Sequence, residues 1–299
     1  MTSPNILTDT TPRPDGSRHD LVHSIITDAW GLYFAQGGVV MAAALRAMQL
    51  GLNRDDLALA SASAVFCRPV ACGPVETRVR VLRDGRRGAQ VLGSLVDQTA
   101  LAEAASDDAG SGSESGAVSD ATSVAVSAVF TDPELPGPRV EPQPLPVELA
   151  KAPAEDGEPN HVENSYPLGF LDNTEWHVAA GVESSPISNS PLPRMALWFR
   201  FNDPPASAGA SWDPALLPIP GDALGSALIP ALGDGSSPVG SVSLQLDLQV
   251  LAPMTGSWIG IDTVCTNISG GLARGVVNLW SEAGVNVAML TQTAMLRSF

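Results

Sequence analysis

The most conspicuous chemical group in the sequence is Asp222, in the stretch Gly221-Asp222-Ala223-Leu224-Gly225-Ser226. Small residues bring one carboxylate to the mouth of an apolar segment that holds almost no other charge. An Asp at such a point caps a helix, because its oxygens accept hydrogen bonds from the first free N–H groups. The rest of the chain decides whether it does more. Of the four histidines, His19, His23, His161 and His177, none lies in a serine-hydrolase arrangement, and no Gly-x-Ser-x-Gly elbow occurs. No Gly-x-Gly-x-x-Gly follows a strand to suggest a dinucleotide site. Cys67, Cys72 and Cys265 have no second Cys or His at metal-ligand spacing. Cys67 and Cys72, in an apolar run around Pro69, read as small buried hydrophobes, and neither metal nor bound cofactor is expected. Arg68, Arg78, Arg80, Arg83, Arg86 and Arg87 are the one basic concentration. They make either a solvated strand-and-turn surface or a phosphate-docking patch.

The chain that must position these groups has 299 residues, 44% of them hydrophobic, enough for two ordinary domains with real cores. Its 32 acidic and 16 basic residues give a formal charge of -16, which repels nucleic acid and anionic membrane. Residues 1–20 lack the apolar core of a signal peptide, and no run of about eighteen apolar residues occurs, so no membrane span is expected. Together with the unpaired cysteines this predicts a soluble protein of the reducing cytoplasm.

After Gly37-Gly38, residues 39–50 are apolar on nearly every face, which predicts a helix wrapped on several sides, with Gly51 as its stop. Residues 57–70 read as a strand ending at Pro69. Alternation over 75–82, the turn Arg83-Asp84-Gly85-Arg86 and a return over 90–98 predict a hairpin. Residues 103–120 are almost all Ala, Ser, Gly, Asp and Glu and read as an acidic surface loop, after which 123–130 resumes the alternation. The proline-rich stretch 132–160 reads as a linker between a first unit, 21–131, and a second, 161–299. In the second, 174–180 and 195–201 read as strands, and an apolar stretch follows Asp222. The strand at 241–250 is the cleanest in the chain, and three more follow over 258–267, 275–281 and 285–296.

The two units repeat each other. Phe66-Cys67-Arg68-Pro69 before Gly73-Pro74 corresponds to Val250-Leu251-Ala252-Pro253 before Gly256, an offset of 253 − 69 = 184. The same offset carries Gly38 onto Asp222, since 38 + 184 = 222. The carboxylate therefore stands where the first unit has only glycine.

Two helix-plus-meander units in tandem resemble the double-hotdog acyl-CoA thioesterases of the thioesterase II type. The resemblance is carried by Gly37-Gly38, by Ser63-Ala64-Val65-Phe66-Cys67-Arg68-Pro69, and by Val79-Arg80-Val81-Leu82-Arg83-Asp84-Gly85-Arg86. In the second unit it is carried by Asp222, Ser243-Leu244-Gln245-Leu246-Asp247 and Thr291-Gln292-Thr293. It covers roughly 21–130 and 166–299. It implies an α+β tandem hotdog, with two antiparallel sheets each wrapped around a central apolar helix, that hydrolyses acyl-CoA to free acid and coenzyme A. It also implies Asp222, Ser243 and Gln292 as the catalytic group, the carboxylate accepting a proton from water that the hydroxyl and carboxamide orient. Gly37, Gly38 and Gly221 would permit close approach of substrate to helix-start amides, and Arg68 and Arg83 would meet coenzyme A phosphates. Where the family often has an acidic residue two places after the hydroxyl, sometimes next to a His, this chain has Gln245 and Leu246. A role in lipid metabolism and a homodimer follow at the family level. Two alternatives stand beside hydrolysis: a non-catalytic acyl-thioester-binding protein, and a hotdog hydratase, for which no Asp and His pair at suitable spacing is visible.

Overall fold

The computed structural model describes residues 3–97, 122–138, 143–153, 168–179, 192–207, 209–232 and 239–298. The acidic stretch 103–120 and His161 lie outside them. The strands in order are β1 (Arg13–Pro14), β2 (Leu21–Ile26), β3 (Ala58–Phe66), β4 (Gly73–Gly85), β5 (Gly88–Asp97), β6 (Val124–Thr131), β7 (Thr174–Val178), β8 (Arg194–Phe201), β9 (Val239–Val250), β10 (Ile259–Ser269), β11 (Leu272–Ser281) and β12 (Asn286–Ser298). The helices are α1 (Ile6–Asp9), α2 (Gly37–Leu52), α3 (Gly169–Asp172), α4 (Pro218–Gly221) and α5 (Leu224–Leu232).

Helix α2 is as apolar as expected and lies at the centre of the core, with the run from Val39 to Leu45 at most 1% exposed. It does not stop at Gly51. It runs to Leu52 and ends at Asn53, whose backbone is left-handed at φ 52° and ψ 47°, a conformation Asn tolerates. Gly51 has a different purpose, since a Cβ there would lie 2.9 Å from Cγ1 of Val79 on β4. The single charge on the helix, Arg46, ties down the N-terminal segment by donating to Leu7 O (2.9 Å) and Thr10 Oγ1 (2.7 Å).

The strands form one continuous antiparallel sheet of twelve, ordered β1-β2-β4-β5-β6-β3-β9-β12-β11-β10-β8-β7. The two sheets expected from sequence are thus joined edge to edge through β3 and β9, which pair over Ser61–Val65 and Gln245–Gln249. The register of this joint contains the repeat. Ser63 pairs with Asp247, and 247 − 63 = 184, so the offset maps the joint onto itself, with Ala62 opposite Leu248 and Ala64 opposite Leu246. Both central strands also carry a β-bulge at matching places, Ala60 in β3 and Leu244 in β9, again 244 − 60 = 184 apart.

In the second half the helical segment is broken. A turn of α4 ends at Gly221, Asp222 leaves the helical region at ψ 54°, and α5 starts again at Leu224. Buried residues of α2, α4 and strands of both halves form one contiguous core. A second cluster gathers Trp198, Trp258 and Trp280 around Leu149, which comes from the stretch read as linker and is itself buried. Cys72 and Cys265 are at least partly buried and Cys67 is exposed, contrary to the buried role expected of it. Among the described residues, no helix is long and apolar enough to cross a membrane.

Candidate functional site

Asp222 sits in the break between α4 and α5, facing the start of α2. Its Oδ2 accepts the Gly38 backbone N–H (3.1 Å) and Nε2 of Gln36 (3.1 Å). Its Oδ1 accepts the Ser243 hydroxyl (2.8 Å) and Nε2 of Gln292, which also donates to Ser243 Oγ (2.8 Å). Oε1 of Gln292 in turn accepts the Leu224 N–H at the start of α5 (3.1 Å). The structure therefore brings Asp222, Ser243 and Gln292 together, and the side chains do not point apart as a merely binding protein would have allowed. The expected cap also exists, but on the helix of the other half: Asp222 serves the N-terminus of α2, and the first free amide of α5 is taken by Gln292.

Ser243 reaches this site because of the bulge. By strict alternation it belongs with Gln245, Asp247 and Gln249 on the outer face. The extra residue Leu244 resets the parity, so Ser243 opposes Ala294 and shares the inner face with Leu246, itself opposite Gln292. Gln245 and Asp247 stay outside, where Thr291 donates to Asp247 (3.0 Å). The same register locates the counterparts in the first half. Leu59 matches Ser243, because 243 − 184 = 59, and Ala128, opposite Ala62, matches Gln292. With Gly38 at the Asp222 position, the symmetry-related site carries no functional side chain.

Burial pushes the Asp222 carboxyl up from 3.8 to about 6, against the lowering effect of the hydrogen bonds from Ser243, the Gly38 amide and Gln292. Gly37 and Gly38 are glycine for steric reasons. A Cβ on Gly37 would lie 2.7 Å from Asp222 Oδ2, and one on Gly38 would lie 2.2 Å from Pro218 O. Gly221 packs on Leu290, 2.4 Å from where its Cβ would be. Arg68 is partly buried just beyond β3, and Arg83 is exposed on the β4–β5 hairpin. Neither donates to Asp222. A groove of about 520 Å³ lined by Ser61, Ser63, Leu82, Asp247 and Met289 lies on the opposite face of the sheet from Gln292.

Gln36 is the member that sequence reading missed. It is 5% exposed and caps α2 by accepting the Val39 N–H (2.8 Å). The available signal was a Gln directly before Gly37-Gly38 and a helix, a place where Ser, Thr, Asp or Asn is the ordinary choice.

A model of the acyl-CoA thioesterase N-terminal domain matches residues 26–131, and one of the acyl-CoA thioesterase C-terminal domain matches 146–296. The chain belongs to the acyl-CoA thioesterase family and is a thioester hydrolase acting on acyl-CoA. Among solved structures it is similar to a candidate thioesterase II from Thermobifida fusca YX (TM-score 0.71, 20% identity, 99% of each chain covered). It is also similar to the acyl-CoA thioesterase II TesB2 from Mycobacterium marinum (TM-score 0.68, 16% identity, 98% of this chain and 97% of that one). A conserved protein with a hot dog fold from Alicyclobacillus acidocaldarius matches at TM-score 0.68 and 16% identity over 100% of both chains. At these identities the likeness is one of fold. No curated protein matches the chain in sequence.

Proposed function

We propose that the thioester is cleaved by water activated at Asp222, Ser243 and Gln292, in a tandem hotdog of units 21–131 and 161–299 joined by 132–160. The observation that carries this reading is the asymmetry: two halves in register at an offset of 184 differ in that only one presents a carboxylate, a hydroxyl and a carboxamide in mutual hydrogen bonds. A fold that needed these groups for stability alone would need them twice.

In the reaction, Asp222 Oδ1 takes a proton from water while the water oxygen bonds to the thioester carbon. Ser243 and Gln292 orient the water. The carbonyl oxygen becomes an oxyanion, for which the Gly37 N–H at the positive end of α2 is the suited donor. It donates to none of the described residues. Collapse breaks the C–S bond, and the proton held on Asp222 passes to the leaving sulfur, giving free acid and coenzyme A. Arg68 and Arg83 are the cations suited to the phosphates of coenzyme A. The reading extends to lipid metabolism in the cytoplasm and to a homodimer, for which Leu82 and Met289, exposed on the outer sheet face, are apolar contacts.

The test is thiol release from acyl-CoA of several chain lengths, comparing wild type with Asp222→Asn. The reading requires release by the wild type and a loss of at least about 10²-fold in the variant. Undiminished release by Asp222→Asn refutes it.

A further inference from the structure

We propose that Gln36, contributed by the first half of the chain, is a positioning residue for hydrolysis: with the Gly38 amide it anchors Oδ2 of Asp222, so that Oδ1 is the oxygen that exchanges the proton with water. The inference rests on the reading of Asp222 as the base.

An ionised carboxylate has about four lone-pair sites, and here four donors occupy them. It accepts a proton only if one donor gives way, and the donors differ in how firmly they are held. The Gly38 N–H is main chain. Gln36 is fixed at both ends of its amide: Oε1 accepts the Val39 N–H (2.8 Å), and Nε2, besides meeting Oδ2, lies 3.4 Å from Ile219 O. That bond to Val39 also sets the amide's orientation, because a flipped amide would turn Oε1 toward the carboxylate and Nε2 toward another donor. Gln292 is fixed in the same way by the Leu224 N–H. Among the described residues the Ser243 hydroxyl bonds only side chains, and it swings its proton by rotating about one bond. It sits on Oδ1. Oδ2 is thus the anchored oxygen and Oδ1 the one that opens.

The length of Gln36 supports this assignment. A Ser or Asp at the same place would cap α2 equally well, but only a longer side chain both caps the helix and reaches Asp222 across the joint between the halves. All four groups bonded to the carboxylate are neutral, so no charge partner competes for it.

The experiment compares Gln36→Asn, which keeps a capping oxygen but falls one methylene short of Asp222, with Gln36→Glu, which keeps both the cap and the reach. kcat/KM for acyl-CoA is followed against pH, and stability by urea unfolding. For Gln36→Asn the acid limb should move up by about one pH unit, because a donor favouring the carboxylate form is lost. Its kcat should fall about tenfold, with KM changed less than about twofold. For Gln36→Glu a second carboxylate faces Oδ2, and the limb should move up by about two units. Variants whose stability alone changes, with limb and kcat as in wild type, overturn the positioning role while leaving Asp222 as the base. An active Asp222→Asn enzyme overturns the base itself.

Discussion

Replacing Gly38 by Ala should injure both the fold and the reaction. Alanine favours helix over glycine by up to about 1 kcal/mol, so on propensity alone the variant would gain stability. The new Cβ, however, would lie 2.2 Å from Pro218 O and 2.7 Å from Ile219 Cα, both main-chain atoms that no rotamer change moves. Ordinary non-bonded contacts lie near about 3.5 Å, so α2 must retreat from α4 by roughly 1 Å. That retreat stretches the 3.1 Å bond between the Gly38 N–H and Oδ2 to about 4 Å, beyond hydrogen-bond range. Overpacking costs about 1–3 kcal/mol and loss of a bond to a carboxylate about 1.5–3. Set against the propensity gain, the net loss is about 1.5–5 kcal/mol, read as a lowered urea midpoint. A displacement of this size at the base should also cost about 10² in kcat/KM. Gly225→Ala is the control, because its Cβ would meet the Ser241 hydroxyl at 3.3 Å and no main-chain atom among the described residues, and it should leave the rate nearly unchanged and not lower the midpoint. A Gly38→Ala protein with wild-type midpoint and rate would refute the close approach of the two helices as the support of the site.

Ser243→Ala should lower kcat about 10²-fold, while Ser243→Thr, which keeps the hydroxyl on a strand that suits β-branched residues, should stay within about tenfold of wild type in the same thiol-release assay. Because Asp222, as the proposed base, would have to be ionised, kcat/KM should fall below about pH 6, roughly tenfold per unit. The stability effect has the opposite sense from that of an ordinary paired carboxylate. A pKa raised from 3.8 to about 6 on folding means that the favourable contribution is fully present below 3.8 and lost as pH rises through about 6. At 1.36 kcal/mol per unit, the unfolding free energy of wild type minus that of Asp222→Asn should fall by about 3 kcal/mol between about pH 3.5 and pH 7. A difference independent of pH would contradict the burial of the charge.

The parts of the fold written in local pattern were legible. The apolar run after Gly37-Gly38 is the central helix, and the alternation around Arg83-Asp84-Gly85-Arg86 is the β4–β5 hairpin, with its turn at Arg86-Arg87. The offset of 184 reappears in the β3–β9 register. What escaped depends on non-local contacts. Nothing in β3 or β9 says that each completes the other's edge, so one sheet was read as two. Strand β2, interrupted by His23 and Ser24, is a strand because β4 pairs with it. At the site, Asp222 drew notice because a charge among apolar neighbours is visible in one dimension. The face on which Ser243 lies turned on one bulge residue, which alternation cannot reveal. Gln36 escaped because its partner lies 186 positions away.

In the proposed mechanism water, and not a carboxylate oxygen, attacks the thioester. A single turnover in H₂¹⁸O, with enzyme in excess over acyl-CoA, tests it directly by mass analysis of the released acid and of the peptide containing Asp222. Activation of water by Asp222 predicts one ¹⁸O in the acid and none in the peptide. Label in Asp222, or an acyl group attached to it in quenched samples, would contradict the account.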